Sequence, residues 1–452
     1  MTTATPHCRL QAALRLAAPL LLAAPLLLSA CREPEVILPG TRLDARAVTS
    51  PDGPQVEQPM VAAATGIALP AARANAEWTH RGGTASHNPG HVALGQANRL
   101  IWAADIGVGD GRQHRIAADP VVGGGRIYTL DSRAAVTATG TNGGTAWRTD
   151  VTPAGETSAS VSGGGLAYGP GQVFATTGFG ELVAIDAATG RVQWRQRVNA
   201  PIGGAPTYHD GIVYVTGRNA IGWAVRASDG KLQWQVNGTP QPTGHMGASA
   251  PAVEGDLVVF PFASGQILAA DRASGTLLWS AQVAGTRVGR AIGFIRDMTG
   301  EPVIAGNTVF AGTSSGRINA FDRMGGFQMW SAREGAMNAV VPVGGAVFAV
   351  SDENQLTRLD AATGGVVWQQ PLPMFTTENV RRQDAIHAHY GPLLAGGRLI
   401  VSSSDGALRM FDPSSGQLVG SAEIPGGAAS APVAAGGTLY VVNRNGQLLA
   451  YR

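Results

Sequence analysis

Cysteine is nearly missing: the chain has 2 among its 452 residues, Cys8 and Cys31. So low a count excludes a disulfide-built scaffold and a cysteine zinc site. Charge is scarce too. Charged residues are 14% of the chain, against roughly 25% in an average globular protein. The 33 basic residues are balanced by 31 acidic ones, whereas a nucleic-acid groove needs clustered Lys and Arg. Heptads rich in Ala, Glu, Lys, Leu and Arg are lacking, which excludes a coiled coil. The apolar run at residues 16–28 is too short for a spanning helix, which takes about 20 residues. Disorder is excluded from the other side, because 44% of the residues are hydrophobic and the net charge is only +2. Glycine is abundant: 62 residues, about twice the usual share of ~7%.

The first 30 residues read as an address. Arg9 and Arg15 form a basic start, and the apolar run follows, as in a secretory signal. The run ends Leu28-Ser29-Ala30-Cys31. That ending resembles the lipobox of bacterial lipoproteins. The resemblance implies cleavage before Cys31 and acylation of its sulfur; several acyl chains anchor a protein stably where one does not. The mature chain then carries no free thiol. Arg32 stands where Asp would favour retention in the inner membrane, so the lean is to the outer membrane. Residues 31–76 read as the lipidated cysteine and a tether, broken by Pro34, Pro39, Pro51, Pro54, Pro59 and Pro70.

The rest of the chain, 77–452, is one repeat. Its clearest unit is residues 182–194, Leu-Val-Ala-Ile-Asp-Ala-Ala-Thr-Gly-Arg-Val-Gln-Trp, and it recurs at 267–279, 318–330 and 356–368. Degenerate copies lie at 221–234, 136–147 and 408–420, with Gly420 in the Trp place. Alternating apolar residues give a strand, Asp-x-x-(Thr/Ser)-Gly gives the turn, and a second strand carries Trp. A further hairpin with a Gly-rich turn precedes each unit. The upstream hairpins count to eight. The Trp-type strand also counts to eight once Leu100-Ile101-Trp102 is included, and the last unit, ending at Arg452, lacks that strand. The expectation is an all-β fold, an eight-bladed β-propeller of four-stranded antiparallel blades closed by the N-terminal strand. The Trp rings are expected to pack between neighbouring blades.

These units resemble the tryptophan-docking repeats of the pyrroloquinoline-quinone propellers. One branch of these is the quinoprotein dehydrogenases, which use an adjacent-cysteine disulfide, a Ca²⁺ site and a catalytic Asp; no cysteine pair exists here. The other is the BamB family of outer-membrane assembly lipoproteins, whose layout of lipobox, tether and eight blades this chain shares. That resemblance implies a non-enzymatic scaffold of the β-barrel assembly (BAM) complex. It would sit lipid-anchored on the periplasmic face of the outer membrane, dock on the POTRA domains of BamA beside the other BAM subunits, and meet unfolded barrel proteins as clients. It implies no catalytic residues, no cofactor and no metal. The alternative is a dehydrogenase-like quinoprotein or a sensor in the periplasm.

Other chemistry leaves no mark. There is no phosphate loop and no His-Glu-x-x-His. His80, His87 and His91 cluster before the ring, and hydrogen bonding explains them better than metal ligation. His387 and His389 are read as a packing or loop-surface pair.

Docking is expected where the links between blades are long. Eleven residues separate Trp194 from Pro206 and Trp330 from Pro342, but 22 separate Trp279 from Pro302 and 23 separate Trp368 from Pro392. The first long link holds Arg287, Arg290, Phe294, Arg296 and Asp297, a hot-spot composition. The family places an arginine just before a Gly-x-Ser-Ala-Pro segment and two acids before the next blade. Here the segment is 247–251, the preceding residue is Met246, Asp297 is the one matching acid, and Thr299 takes the other place. Met246, Arg287, Arg290, Phe294, Arg296 and Asp297 are therefore the candidate partner-binding residues, with Cys31 as the lipid site.

Overall fold

The structure is a computed structural model; it describes residues 61–62, 66–242, 244, 249–283, 285, 287 and 295–452. Eight sheets of four antiparallel strands follow one another along the chain. Blades 1 to 7 span 121–150, 164–197, 207–237, 252–282, 298–332, 341–371 and 389–423. Blade 8 takes three strands from 433–451, and its outer strand is Leu100–Asp105. That strand pairs antiparallel with the last strand of the chain, Trp102 opposite Ala450 and Asp105 opposite Gln447. The eight-bladed propeller with N-terminal closure is thus the fold. Closure removes the two free ends that an open stack would expose.

Neighbouring blades share apolar cores. One cluster joins Leu166 and Val183 of blade 2 to Val121 and Tyr128 of blade 1. Another runs from Leu408 in blade 7 through Tyr440 in blade 8 to Ile127 in blade 1, completing the circle. The turn chemistry is as expected from the repeat. Asp186 Oδ1 accepts from Thr189 N at 2.8 Å and from Thr189 Oγ1 at 2.7 Å. These bonds, the hydroxyl one first, hold the Asp186 carboxyl below its usual range.

Each tryptophan of an outer strand caps the next blade. A Cβ at Gly326 in blade 5 would lie 2.5 Å from the Trp279 ring of blade 4, and Gly326 has φ +69. Only glycine meets both demands. The indole N–H of Trp279 donates to Arg323 O at 2.9 Å in the same turn. Trp102, Trp147, Trp194, Trp234, Trp330 and Trp368 face Gly143, Gly190, Gly230, Gly275, Gly364 and Gly416 in the same way. Gly420 breaks the series for a topological reason. Its partner would be a turn between the last two strands of blade 8, but those strands, Gln447–Tyr451 and Leu100–Asp105, do not follow one another in sequence.

Residues 375–386 belong to a compact unit other than the ring's. Phe375 bridges Ile386, and Asn379 caps a short 3-10 turn at Val380–Arg382.

Candidate functional site: the link face and the filled channel

The links between blades start from the outer strands, and the inner strands begin where they end. In the long link after blade 4, Arg287 reaches to the turn of blade 6. Its Nε and Nη2 donate to the two carboxylate oxygens of Asp352, at 2.8 and 2.7 Å. Glu353 lies 3.6 Å from Nη1, and Gly335 N donates to Asp352 Oδ1 at 2.9 Å. Burial works against the Arg287 charge, but the Asp352 bonds and the nearby acids outweigh it and raise its pKa. At the other end of the link, Asp297 is buried and accepts from Arg218 Nη1 at 2.9 Å. Arg218 sits in the turn 217–220 of blade 3. Thr299 Oγ1 donates to Ala336 O at 2.6 Å.

Two ion pairs therefore tie this link, which joins blades 4 and 5, to blades 3 and 6. Of the sequence candidates, Arg287 and Asp297 belong to the clasps, and Arg296 is exposed. Cys31, Met246, Arg290 and Phe294 lie outside the described residues. Sequence reasoning missed Arg218. Its signal was a lone arginine in a blade turn, with no motif to connect it to Asp297.

The opposite mouth of the ring is filled by the chain itself. Residues 67–96 run as an irregular strap across the ends of the inner strands. Asn75 Nδ2 donates to Ala434 O of blade 8 at 2.7 Å. Trp78 exchanges two backbone bonds with Val122 of blade 1, and Tyr168 N of blade 2 donates to Thr79 O. Val253 N of blade 4 donates to Ala85 O, Ile304 N of blade 5 to Ser86 O, and Val92 N to Leu394 O of blade 7. Ile67 and Leu69 pack on the core shared by blades 6 and 7.

The strap histidines are hydrogen-bonded structure. His80 Nε2 donates to Tyr208 O of blade 3 at 2.8 Å, and His87 Nδ1 donates to Pro302 O of blade 5 at 2.8 Å. Burial lowers His80 to about 3 and His87 to about 4. His91 joins Pro70 O at 2.7 Å and accepts from Gly397 N at 2.9 Å. His389 is buried, 2.6 Å from Ser403 Oγ and 2.7 Å from Pro373 O. Among the described residues no group of three or more His, Cys, Asp or Glu is placed to hold a metal ion.

Arg81 points from the strap into the ring. Its Nε lies 2.7 Å from Glu301 and 3.3 Å from Asp119. Beside them is a cavity of about 50 Å³, lined by Trp78, Arg81, His87, Asp119, Glu301 and apolar residues of blades 6 to 8. It has room for a few waters. A pocket for a fused-ring quinone would need at least ~300 Å³. The residues present do not fit such a group there.

Comparison with known proteins gives consistent results. A family model described as outer membrane protein assembly factor BamB matches residues 131–370 and 374–452. Outer membrane protein assembly factor BamB of Yersinia pestis is 25% identical, over 78% of this chain and 88% of its own. The crystal structure of BamB from Moraxella catarrhalis superposes with a TM-score of 0.64 at 18% identity, covering 78% of this chain and 99% of its own. A europium-containing methanol dehydrogenase superposes with a TM-score of 0.61 at 15% identity, over 81% of this chain and 89% of its own. At such identities the likeness to the two structures is one of fold.

Proposed function

The chain belongs to the family of outer membrane protein assembly factor BamB, and from that premise we propose that it is a non-enzymatic scaffold lipoprotein of the BAM complex. In this reading Cys31 carries the lipid and holds the ring at the periplasmic face of the outer membrane. The link face docks on the POTRA domains of BamA, and the bound ring aids insertion of β-barrel proteins. The single observation that carries the reading is the clasped link. Arg218–Asp297 and Arg287–Asp352 hold Arg287 and Asp297, two described residues of the connection 283–297 between the outer strand of blade 4 and the inner strand of blade 5. A link anchored at Arg287 and Asp297 spends less of its contact energy on ordering those residues when it binds. The strapped mouth agrees with binding rather than catalysis, since among the described residues the cavity beside Arg81 measures about 50 Å³.

The test is a mild-detergent pull-down of the tagged, full-length protein from its native membranes, with partners read by mass spectrometry. Recovery of BamA, reduced by Arg296→Glu, supports the assignment and the face. Recovery of BamA indifferent to that change keeps the function and moves the site. A preparation rich in other envelope proteins but without BamA sinks the reading.

A further inference from the structure

The turn between the second and third strands of each blade lies on the link face and ends in a residue of positive φ, from Ala134 in blade 1 to Gly446 in blade 8. The residue before it is polar in seven blades, from Arg133 in blade 1 to Asn445 in blade 8. In blade 2 it is Phe179. The Phe179 ring is half-buried, yet it belongs to neither apolar cluster of blade 2. Packing of the blade does not account for an aromatic at this turn.

The turn is held from both sides. A Cβ at Gly178 would strike Val161 and Ser162 of the link before blade 2, and one at Gly180 would lie 2.6 Å from Ala200 O of the link after it. Val198 N donates to Gly180 O at 2.9 Å. Between the turn and the two links is a pocket of about 360 Å³, lined by Pro153, Glu156, Phe179, Glu181, Arg197 and Asn199 among others. That volume is within the ~300–1,000 Å³ typical of ligand sites, and several times that of the cavity beside Arg81.

Its walls define the ligand. Glu181 is buried and accepts from Arg195 Nη1 at 2.9 Å on one oxygen and from Arg197 Nε at 3.3 Å on the other. Arg195 also donates to Val151 O at 2.8 Å, which fixes that wall. The Arg197 side chain is 74% exposed and has terminal N–H donors to spare. Glu156 and Asn199 are exposed, and neither side chain has a partner among the described residues. Glu156 and Glu181 balance Arg195 and Arg197, so the pocket favours a neutral ligand. Its polar side chains offer donors and acceptors, and its one ring offers a face that attracts polarised C–H groups. A sugar answers both, with hydroxyls around its rim and C–H groups on its faces. We infer that this pocket binds a neutral oligosaccharide. One pyranose ring lies on Phe179, and its hydroxyls meet Glu156, Arg197 and Asn199. No residue of the clasped link takes part, so the site goes beyond the scaffold reading and is independent of it.

The probes are diacetylchitobiose and maltose, titrated by calorimetry into the full-length protein in lipid nanodiscs. Saturable binding of at least one is expected, and which one binds tells an acetamido sugar from a plain glucan. Phe179→Ala weakens it at least tenfold and Asn199→Ala at least threefold. Phe179→Trp keeps a ring face and stays within threefold of the wild type, whereas Phe179→Leu, apolar without a ring, loses at least fivefold. Ser264→Ala, at the same turn position in blade 4, leaves binding within twofold. Thermal melts check that each variant is folded, and if Phe179→Ala melts early the Trp and Leu variants carry the test. Three outcomes overturn the inference: neither sugar binds the wild type, binding is indifferent to Phe179→Ala in a folded protein, or Phe179→Leu binds as well as Phe179→Trp. Tighter binding of deacetylated, cationic chitobiose than of either neutral sugar also overturns it, by making the ligand a charged one. Any of these with BamA still recovered in the pull-down removes this site and leaves the scaffold reading standing.

Discussion

Arg81 and Glu301 meet at 2.7 Å inside the ring, one from the N-terminal strap and the other from the inner strand of blade 5. Asp119, just before blade 1, is 3.3 Å from the same Arg81 nitrogen. The cation bridges opposite sides of the ring through a segment distant from both in sequence. Glu301 is only 2% exposed, so loss of the arginine strands two carboxylates away from water. Arg81→Met is expected to cost about 3–5 kcal/mol, read by denaturant unfolding. Adding Glu301→Gln recovers part of that. Equal stability of the single and double variants would show that the acid is not held by the pair.

The strap also makes the ring sensitive to acid. Burial lowers His80 to about 3, with the His87 charge adding to it, and lowers His87 to about 4, with Arg81 adding. Both rings titrate near 6.5 in the unfolded chain. The folded state therefore binds fewer protons below that value. Stability from these sites is complete above about pH 6.5 and drains as pH falls towards 4 and 3, by roughly 2 kcal/mol per site at pH 5. Asp119 works in the opposite direction, because burial raises its pKa and protonation favours the folded form. Unfolding measured from pH 7 to pH 5 should show a decline that His80→Gln with His87→Gln flattens. An unchanged slope in the double variant would reject the assignment.

The blades were legible because each is local. Asp186, Gly190 and Trp194 lie within one hairpin and a single period, and turn chemistry with alternation fixes such a unit. Closure was legible as a mismatch, a surplus Trp102 strand before a terminal unit that lacked one. The strap was not. Its bonds go one by one to partners as distant as Ala434 from Asn75, and no periodicity marks such a segment. The clasps escaped for the same reason. Arg287 was visible as hot-spot composition, but its partner Asp352 sits in a turn of a different blade. A charge in a link can be a fastening as well as a candidate contact.

The tryptophan series yields a graded test. Trp330 donates its N–H to Ala361 O at 2.9 Å, whereas the buried Trp368 N–H has no partner in its turn. Both rings pack on a glycine, Gly364 and Gly416. Replacement by Phe keeps most of the apolar contact, so Trp330→Phe should cost about 1 kcal/mol more than Trp368→Phe. Gly420→Trp completes the repeat in sequence and should bring no stability, because blade 8 has no turn for the ring to dock on. A melting temperature raised by Gly420→Trp would show that another surface substitutes for that turn.

Arg287 and Arg296 share one link and separate fastening from contact. Asp352 has a fully buried side chain held by Arg287. Arg287→Ala should therefore cost about 3 kcal/mol or more, and should weaken BamA recovery by releasing the link. Arg296 is exposed, and surface substitutions of this kind usually shift stability by less than about 0.5 kcal/mol. Arg296→Glu should leave the melt unchanged while reducing BamA recovery, more so at low salt, where a reversed rim charge is least screened. Asp352→Asn distinguishes the two roles further. It leaves Arg287 in place but weakens the clasp, so recovery should fall along with stability. If Arg287→Ala and Asp352→Asn destabilise the link without touching recovery, and Arg296→Glu is silent as well, the partner docks elsewhere on the ring and the clasp serves the fold alone.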